Sequence, residues 1–279
     1  MSAKLTEAVR NDLIQAIKDD KVKLPTLPEV AIQIRTEAKN TDVSAARLAK
    51  VIGQDIGITA RLIKVANSPL MRGSKTIEDL QMAISRVGIA YAANLATGIA
   101  MQQMYQASSP SVDEKMREIW GRSTEVAGIA YILAKHYTRL QPDQASLAGL
   151  VHQIGALPIL TYLEDQPKLN ENPKVIEFLL EQLQGEIGQL ILETWDFPAE
   201  LREVPAQITN FQRVSESVDY VDVVMIANLQ SYLGSEHPYT KMDWSEIPAF
   251  AQLGLDPNAE EQEAEDISAE MEAAMTMFL

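Results

Sequence analysis

The sequence predicts an all-α protein, and three observations lead to this prediction. Apolar residues recur at helical spacing in nearly every segment, as in the stripe Leu5, Val9, Leu13 and Ile17. Proline and glycine divide the chain into helix-length pieces, and the alternating patterns typical of strands are absent. The 279 residues include no cysteine, but a chain of this length can bury a large core without disulfides.

The first part of the chain contains four predicted helices. The N-terminal stripe predicts an amphipathic helix, and a proline-rich segment, "LPTLPEV", precedes the second helix. Ser44 or Asp42 can cap a third helix that Gly53 ends. The segment "DIGITARLIKVANS" predicts a fourth helix that closes at Asn67-Ser68, and a role of this pair as a C-cap is favoured over a role in binding.

The middle of the chain contains the most apolar predicted helices. Thr76 is a candidate cap for a fifth helix, which ends before Gly88. The segment "IAYAANLATGIAMQQMY" is apolar on almost every side and predicts a buried helix. Ser111 and Glu114 have the spacing of a capping box, and they predict a long helix that ends at about His136.

The remaining helices are marked by prolines and one glycine. Pro142 and Asp143 begin a helix that continues into "GLVHQIGALPIL". Pro173, Gly185 and Pro198 separate three further helices, and "SVDYVDVVMIANLQSYL" predicts another.

The net charge of −15, from 24 basic and 39 acidic residues, argues against non-specific binding to nucleic acid. The N-terminus has no signal-peptide pattern, and no run reaches the roughly 18–20 apolar residues that a membrane span needs. We therefore expect a cytoplasmic protein with neither a nucleic-acid nor a membrane partner. The charge is uneven, because residues 35–75 carry eight basic side chains whereas residues 256–279 carry eight acidic ones and no basic one.

The acidic end also has an apolar stripe, formed by Ile267, Met271, Met275 and Phe278. A solvated acidic tail does not need such a stripe, so it predicts a terminal helix that packs on its own chain or on a second copy. The basic segment 35–75 offers opposite charge to this helix. The oligomeric state itself stays open.

His152 is the candidate centre of a functional site. A helical metal phosphohydrolase uses histidines and aspartates, with an adjacent His-Asp pair that supplies an imidazole nitrogen and an anionic oxygen to a divalent metal. Here the pair is His152-Gln153, and the glutamine offers only a neutral oxygen. The other histidines, His136 and His237, are followed by Tyr137 and Pro238 rather than by an acid.

Several motifs, taken in order, resemble the HDOD domain family. They are "LPTLPEV", "GQDIGITARLIKVANS", "IWGRSTEVAGIAYILAKH", "SLAGLVHQIGALPIL" and "IGQLILETWDFPAEL". The resemblance implies a multi-helix HDOD fold over residues 21–235, with an N-terminal lobe (21–108) packed on an HD-like lobe (111–235). Residues 1–20 then form an added helix, and residues 236–279 form a C-terminal extension.

The resemblance also implies where the metal ligands of the related HD phosphohydrolases would lie. The first histidine corresponds to Arg122, the His-Asp pair to His152-Gln153, and the late aspartate to Asn228. The paired histidines of the cyclic-dinucleotide phosphodiesterase branch would fall near residues 208–209. Only one of the four ligands is kept, so no catalytic residue, metal or cofactor is expected. The matching motifs also make Arg61, Lys64, Asn67 and Ser68 candidate interaction residues.

The leading hypothesis is a non-catalytic bacterial signal-transduction domain that regulates a signalling protein by direct contact. One alternative is a nucleotide phosphohydrolase with a rearranged metal site that uses Glu125 or Glu164. Another is a pseudoenzyme that senses a phosphorylated small ligand in a pocket made positive by Arg122.

Overall fold

A computed structural model describes residues 3–19, 24–71, 73, 75–166, 172–257, 270 and 274. Every regular element within these ranges is a helix, so the all-α prediction is confirmed. The helices of the first part are α1 (Ala3–Lys18), α2 (Glu29–Ala38), α3 (Ala45–Ile52), α4 (Ile56–Ala66), α5 (Leu80–Val87) and α6 (Ile89–Met101). Those of the second part are α7 (Pro110–Tyr137), α8 (Pro142–Val151), α9 (Ala156–Glu164), α10 (Pro173–Thr194), α11 (Ala199–Arg202), α12 (Val204–Gln207), α13 (Tyr220–Gln230) and α14 (Pro248–Leu253).

Short polar side chains begin the helices of the N-terminal lobe. Ser44 caps α3 by accepting from the Arg47 N–H at 3.3 Å, and Gly53 follows its last turn, as the sequence predicts. For α5 the predicted cap, Thr76, is wrong. Asp79 caps this helix instead and accepts from the Met82 N–H at 2.8 Å, because the chain from Thr76 to Asp79 is still non-helical.

Helix α6 joins the two lobes. It is buried along most of its length, as its apolar sequence predicts, and it contacts α2 in the first lobe and α8 in the second. A polar link accompanies this packing, because the Asn94 side-chain amide donates to Asp143 Oδ2 at 2.7 Å. The large apolar cluster is therefore continuous from one lobe to the other.

A second joint lies where α2 meets the end of α10. The Arg35 guanidinium donates to the backbone carbonyls of Trp195 and Asp196, both at 2.8 Å, and lies 4.2 Å above the Phe197 ring. Asp196 has a positive φ of 51°, a left-handed conformation that aspartate tolerates better than most residues. The Trp195 indole N–H donates back to the Pro25 carbonyl at 3.0 Å. The end of α10 is therefore held both by the Arg35 side chain of α2 and by the Pro25 carbonyl before α2.

Three predicted boundaries in the second lobe need correction. Helix α7 begins at Pro110 after Ser109, so the capping box expected at Ser111 is not formed. The segment around His152 is not one helix, because α8 ends at Val151 and a turn over residues 152–155 precedes α9. Gly185 does not separate two helices and lies within α10, where the backbone of Pro205 and Ala206 comes close to it.

The C-terminal part contacts the second lobe. The buried Asp222 carboxylate accepts from Arg213 Nη1 at 2.6 Å and from Ser215 Oγ at 2.7 Å, and Ser215 also bonds to Gln252 of α14. Most of the predicted terminal stripe lies outside the described residues. The described Glu270 accepts from Lys135 Nζ at 2.9 Å and lies 2.8 Å from His136 Nε2, and Ala274 is fully buried. Glu270 therefore contacts α7, rather than the basic segment 35–75.

Candidate functional site

A cavity of about 390 Å³ lies where the resemblance places the metal site of HD phosphohydrolases. Arg122 of α7, Gln153 of the turn after α8 and Asn228 of α13 all line it, together with Ile208 and Thr209, which follow α12. His152 is fully buried beside Gln153 and is close enough to Arg122 and Asn228 for both to influence its pKa. The structure thus brings together the four positions that the sequence singled out.

The His152 imidazole is fixed as a neutral acceptor. Its Nδ1 lies 2.6 Å from the Gly149 carbonyl oxygen, so Nδ1 carries the proton and donates, which leaves a lone pair on Nε2. Burial lowers the pKa of His152 to about 4, and the nearby charge of Arg122 acts in the same direction, whereas the hydrogen bond to Gly149 and the Asn228 amide oppose this. The ring is therefore uncharged at neutral pH.

Arg122 places a permanent cation at the position that the resemblance assigns to the first metal ligand. Its Nη1 donates to the Ser231 carbonyl at 2.9 Å and to Ser231 Oγ at 3.2 Å, and its guanidinium lies 3.9 Å above the Tyr232 ring. Ser231 caps the C-terminus of α13, where the helix dipole favours a positive charge. Glu125 is 3.8 Å from the same guanidinium. Arg122 thus links α7 to α13 across the site.

At this site, three buried acceptor atoms have no hydrogen-bond partner in the described part of the chain. They are His152 Nε2, Gln153 Oε1 and Asn228 Oδ1. The Asn228 amide lies beside the imidazole, but Nε2 and Oδ1 do not form a hydrogen bond with each other because both atoms are acceptors. Buried acceptors normally find a donor, so these three atoms leave the protein interior beside the cavity incompletely hydrogen-bonded.

The sequence did not reveal the rim of the cavity. Glu118, Glu177 and Glu181 bring three carboxylates to it, whereas Lys115 and Arg122 bring two cations. Lys115 is paired with Glu118 at 2.8 Å. Glu177 and Glu181 are four residues apart and therefore lie on one face of α10. Any solvent-exposed helix face can carry glutamates at this spacing, however, so the spacing does not indicate a site. The sequence contains no further signal that could have identified them.

An aromatic wall completes the cavity and includes His237, which the sequence analysis set aside. The His237 ring stacks on Tyr232 at 3.8 Å and meets the edge of Tyr239 at 4.4 Å. Partial burial and the charge of Arg122 lower the pKa of His237, and Glu177 opposes them. His237 therefore lies in the cavity wall, close to the acidic rim.

The side chains of this cavity do not fit a divalent metal. A metal phosphohydrolase site needs anionic oxygens and imidazoles directed at one point, but here His152 is accompanied by two neutral amides and a guanidinium. No group of three or more His, Cys, Asp or Glu side chains suitable for a metal occurs among the described residues. Glu164, a proposed substitute ligand, instead accepts from the backbone N–H groups of Ser108 and Ser109, both at 2.8 Å.

The four candidate interaction residues lie on α4 and its end, in the other lobe. Arg61 donates to the Gln102 side chain, and Lys64 is exposed. Asn67 is the C-cap of α4, and its amide donates to Ile77 O at 2.7 Å while its Oδ1 accepts from Ile77 N at 2.8 Å. Ser68 Oγ is buried without a partner in the described chain. Asn67 thus closes the loop between α4 and α5.

One described stretch, Pro142–Glu164, is apolar and long enough to cross a membrane by composition. Most of it is buried inside the protein, in α8, α9 and the turn between them. A core segment of a folded domain has the same properties.

Solved structures of similar fold are bacterial proteins. A protein from Shewanella amazonensis, provisionally named a metal-dependent phosphohydrolase, is 31% identical, with a TM-score of 0.87 over 98% of this chain and 99% of its own. An HDOD domain protein of unknown function from Geobacter sulfurreducens is 20% identical, with a TM-score of 0.65 over 97% and 99%. A Marinobacter aquaeolei protein, provisionally named a signal transduction protein, is 23% identical, with a TM-score of 0.63 over 98% and 65%.

Sequence comparison gives the family. An uncharacterized protein from Treponema pallidum is 25% identical over 254 residues, which are 85% of this chain, and the match spans about half (48%) of that longer protein. The HDOD domain family model matches residues 24–211, which include α2 to α12. The chain therefore belongs to the HDOD domain family.

Proposed function

We propose that this protein is a non-catalytic regulatory domain of bacterial signal transduction, which acts in the cytoplasm by contact with a signalling protein. The observation that carries this proposal is the position of Arg122. Its guanidinium lies where the resemblance predicts a metal ligand of the related hydrolases, and it is held there by Ser231 and Tyr232. A fixed cation at this point repels a divalent metal and links the helices that a metal would otherwise join.

The remaining side chains of the cavity support the same proposal. Gln153 and Asn228 stand where a hydrolase of this kind needs carboxylates, and an amide cannot supply the negative charge that binds the metal or act as a general base. Because the cavity lacks the groups for metal-assisted hydrolysis, we infer that the protein acts by binding a partner rather than by catalysis. The family relationship and the signal transduction name of the Marinobacter protein favour a regulatory context.

Neither alternative from the sequence gains support from the geometry. The rearranged hydrolase needs Glu125 or Glu164 as a ligand, but Glu125 faces Arg122, and Glu164 bonds to the backbone before α7. A phosphorylated ligand needs a positive pocket, whereas this rim carries three glutamates against two cations.

The test compares the wild-type protein with a variant that rebuilds the ligand set, Arg122→His, Gln153→Asp, Asn228→Asp. Metal content is measured after incubation with Mn²⁺, together with hydrolysis of a generic phosphodiester. We expect the wild type to retain no stoichiometric metal and to hydrolyse nothing, whereas the triple variant gains Mn²⁺-dependent thermal stabilisation. Metal-dependent hydrolysis by the wild type, abolished in His152→Ala, would overturn the proposal.

A further inference from the structure

Two cavities meet at the joint between α2 and the end of α10. One, of about 340 Å³, lies between α2, α6, α8 and α11, and the other, of about 460 Å³, lies between α2, the chain before it and the end of α10. Arg35, Lys39 and Asp196 line both cavities. The two cavities therefore form one surface, the joint groove, which crosses from the first lobe to the second.

The first cavity is the cationic half of the joint groove. Arg35, Lys39 and Arg202 bring three positive charges to its lining, where Asp196 is the one carboxylate among the described residues. This excess of positive charge is local, because the chain as a whole carries −15. Burial lowers the pKa of Arg35 more than the charge of Asp196 raises it, so the guanidinium is incompletely compensated. A further carboxylate is therefore favoured beside these cations.

Asp196 lies between two of these cations as a weakly held anion. Its carboxylate is 3.4 Å from Lys39 Nζ and 3.3 Å from Arg202 Nη2, and its side chain is 80% exposed. Exposed ion pairs of this kind contribute little to stability. Arg35 binds the backbone carbonyls of Trp195 and Asp196 rather than this carboxylate. An incoming carboxylate can therefore share or replace the Asp196 side chain without breaking the joint.

The second cavity is the apolar half of the joint groove. Ile32 of α2 is 44% exposed, and it lines the cavity together with the partly exposed Leu24, Pro25 and Trp195. The Trp195 indole N–H already donates to the Pro25 carbonyl, so the accessible part of this ring offers apolar contact. Tryptophan and arginine are among the residues that most often carry the binding energy of protein interfaces. Here both types lie in one groove, beside Lys39.

We propose that the joint groove docks a segment of a partner protein in which apolar side chains are flanked by carboxylates. An apolar side chain of this segment packs against Ile32 and Trp195, and a neighbouring carboxylate lies between Lys39 and Arg202. This inference rests on the proposed function, since it names the surface and the partner chemistry through which the regulatory domain acts. A partner seated in the groove contacts both lobes at once.

The test measures binding of a labelled peptide to the full-length protein by fluorescence anisotropy. The probe is a synthetic peptide that repeats the unit leucine-glutamate-glutamate-leucine, and its two counterparts carry glutamine for glutamate or serine for leucine. We expect the probe to bind saturably and each counterpart to bind at least about fivefold more weakly, because each lacks one of the two complementary features. The net charge of −15 repels the probe, so its preference over the glutamine counterpart reports the local cations.

Two exposed positions test the two halves of the groove separately. Lys39→Glu reverses a charge in the cationic half, and Ile32→Ser removes an apolar side chain from the other half. Each is expected to weaken binding of the probe by about fivefold or more. Lys50→Glu and Met82→Ser are the matched controls, because both side chains are exposed in the same lobe (Met82 by 49%) and line neither cavity. We expect the controls to change the affinity by less than about twofold.

Asp196→Asn tests whether the Asp196 carboxylate competes with the probe. The substitution removes the charge but keeps the backbone carbonyl that Arg35 binds, and asparagine tolerates the positive φ of 51°. We expect this variant to bind the probe about threefold more tightly than the wild type does. No gain in this variant, equal losses in the groove variants and their controls, or no binding of the probe overturns the docking groove.

Failure of this inference can be distinguished from failure of the proposed function. Metal content and phosphodiester hydrolysis are measured on the same wild-type sample that is titrated with the peptide. A metal-free, inactive wild type that does not bind the probe overturns the docking groove alone. A metal-loaded, active wild type overturns the proposed function and, with it, the regulatory partner that this groove is proposed to dock.

Discussion

Arg122 and His152 each hold neighbouring elements together through specific hydrogen bonds. Arg122 connects α7 to the end of α13 through Ser231, and its positive charge, together with burial, keeps the neighbouring imidazole neutral. His152 is held by Gly149, one turn earlier in the chain. At this scale the site is a set of hydrogen bonds and charge interactions that also contribute to folding.

Replacement of Arg122 is therefore expected to destabilise the fold. Arg122→Met keeps most of the side-chain volume but removes the bonds to Ser231 and the contact with Tyr232. We expect the free energy of unfolding to fall by about 2 kcal/mol, measured by urea denaturation at pH 7.5. Lys115→Met, which breaks only the pair with Glu118, should cost at most about 0.5 kcal/mol. Equal stability of the two variants would contradict this role of Arg122.

His152 predicts a dependence of stability on pH. Its pKa is about 4 in the folded protein, below the ordinary value of 6.5, so the unfolded chain binds its proton first as the pH falls. The stability is therefore complete above about pH 6.5 and declines towards pH 4. Between pH 7.5 and pH 5 the contribution of this group is a loss of about 2 kcal/mol.

The measurement compares urea unfolding at both pH values for the wild type and for His152→Gln. Other groups titrate similarly in both proteins. The difference between the two proteins in the free energy of unfolding lost on acidification is therefore the contribution of His152. The variant is expected to lose less stability on acidification. The same loss in both proteins would show that His152 does not titrate as described.

At the scale of elements, the floor of the cavity depends on a close approach between the turn before α9 and α10. A Cβ at Gly155 would lie 2.0 Å from the Gln184 carbonyl oxygen and 2.5 Å from the Gly188 nitrogen. Only glycine lets these backbones come so close. Gly155 therefore sets the distance between Gln153 and the acidic face of α10.

Gly155→Ala is expected to lower the stability by more than about 3 kcal/mol or to prevent folding, because the new methyl group overlaps rigid backbone atoms. Gly121 provides the control, since it lies within α7 and a Cβ there meets nothing within 4 Å. Gly121→Ala should raise the melting temperature slightly, through a gain of about 0.5–1 kcal/mol in helix stability. A fall in the melting temperature of Gly155→Ala no larger than about 1 °C would contradict the packing argument.

Helical spacing and proline positions were enough to predict most helices. Local capping rules failed where contacts between helices determine where a helix begins or ends. Gly185 reads as a break, yet α10 continues through it because the backbone of Pro205 packs against that position. The positions of Arg122, His152, Gln153 and Asn228 followed from the family resemblance, and the structure brings them together. The facing direction of Glu177 and Glu181 was not predictable, because it depends on how α10 packs against α9 and α12.

At the scale of the whole molecule, the acidic C-terminal segment is a part of the fold at the residues described. Glu270 bonds to Lys135 and lies beside His136, and these two contacts, the histidine first, lower its pKa. Ala274 is fully buried. Contact with the end of α7 agrees with the expectation that this segment packs on its own chain, although the surface that it meets is not the basic one.

A chain that ends at Leu255 is expected to lose stability, because buried apolar contact is removed together with the Glu270 ion pairs. We expect its melting temperature to fall by several degrees, as a change of about 1–2 kcal/mol does in a protein of this size. The full-length variant Glu270→Gln should show only a small part of this fall, since partly exposed ion pairs contribute little. An unchanged melting temperature of the shortened chain would show that the segment is a solvated tail.

The joint between Arg35 and the end of α10 also has a consequence during synthesis on the ribosome. Arg35 and the Trp195 carbonyl are separated by 160 residues, so the donor leaves the ribosome well before its acceptor exists. At roughly 5–20 residues per second, this delay is on the order of ten seconds or more. Until α8 is made, α6 lacks its partner in the second lobe, and until the end of α10 is made, Arg35 of α2 lacks the groups that later cover it, so the nascent first lobe exposes apolar surface. We expect this interval to be when the protein depends most on chaperones.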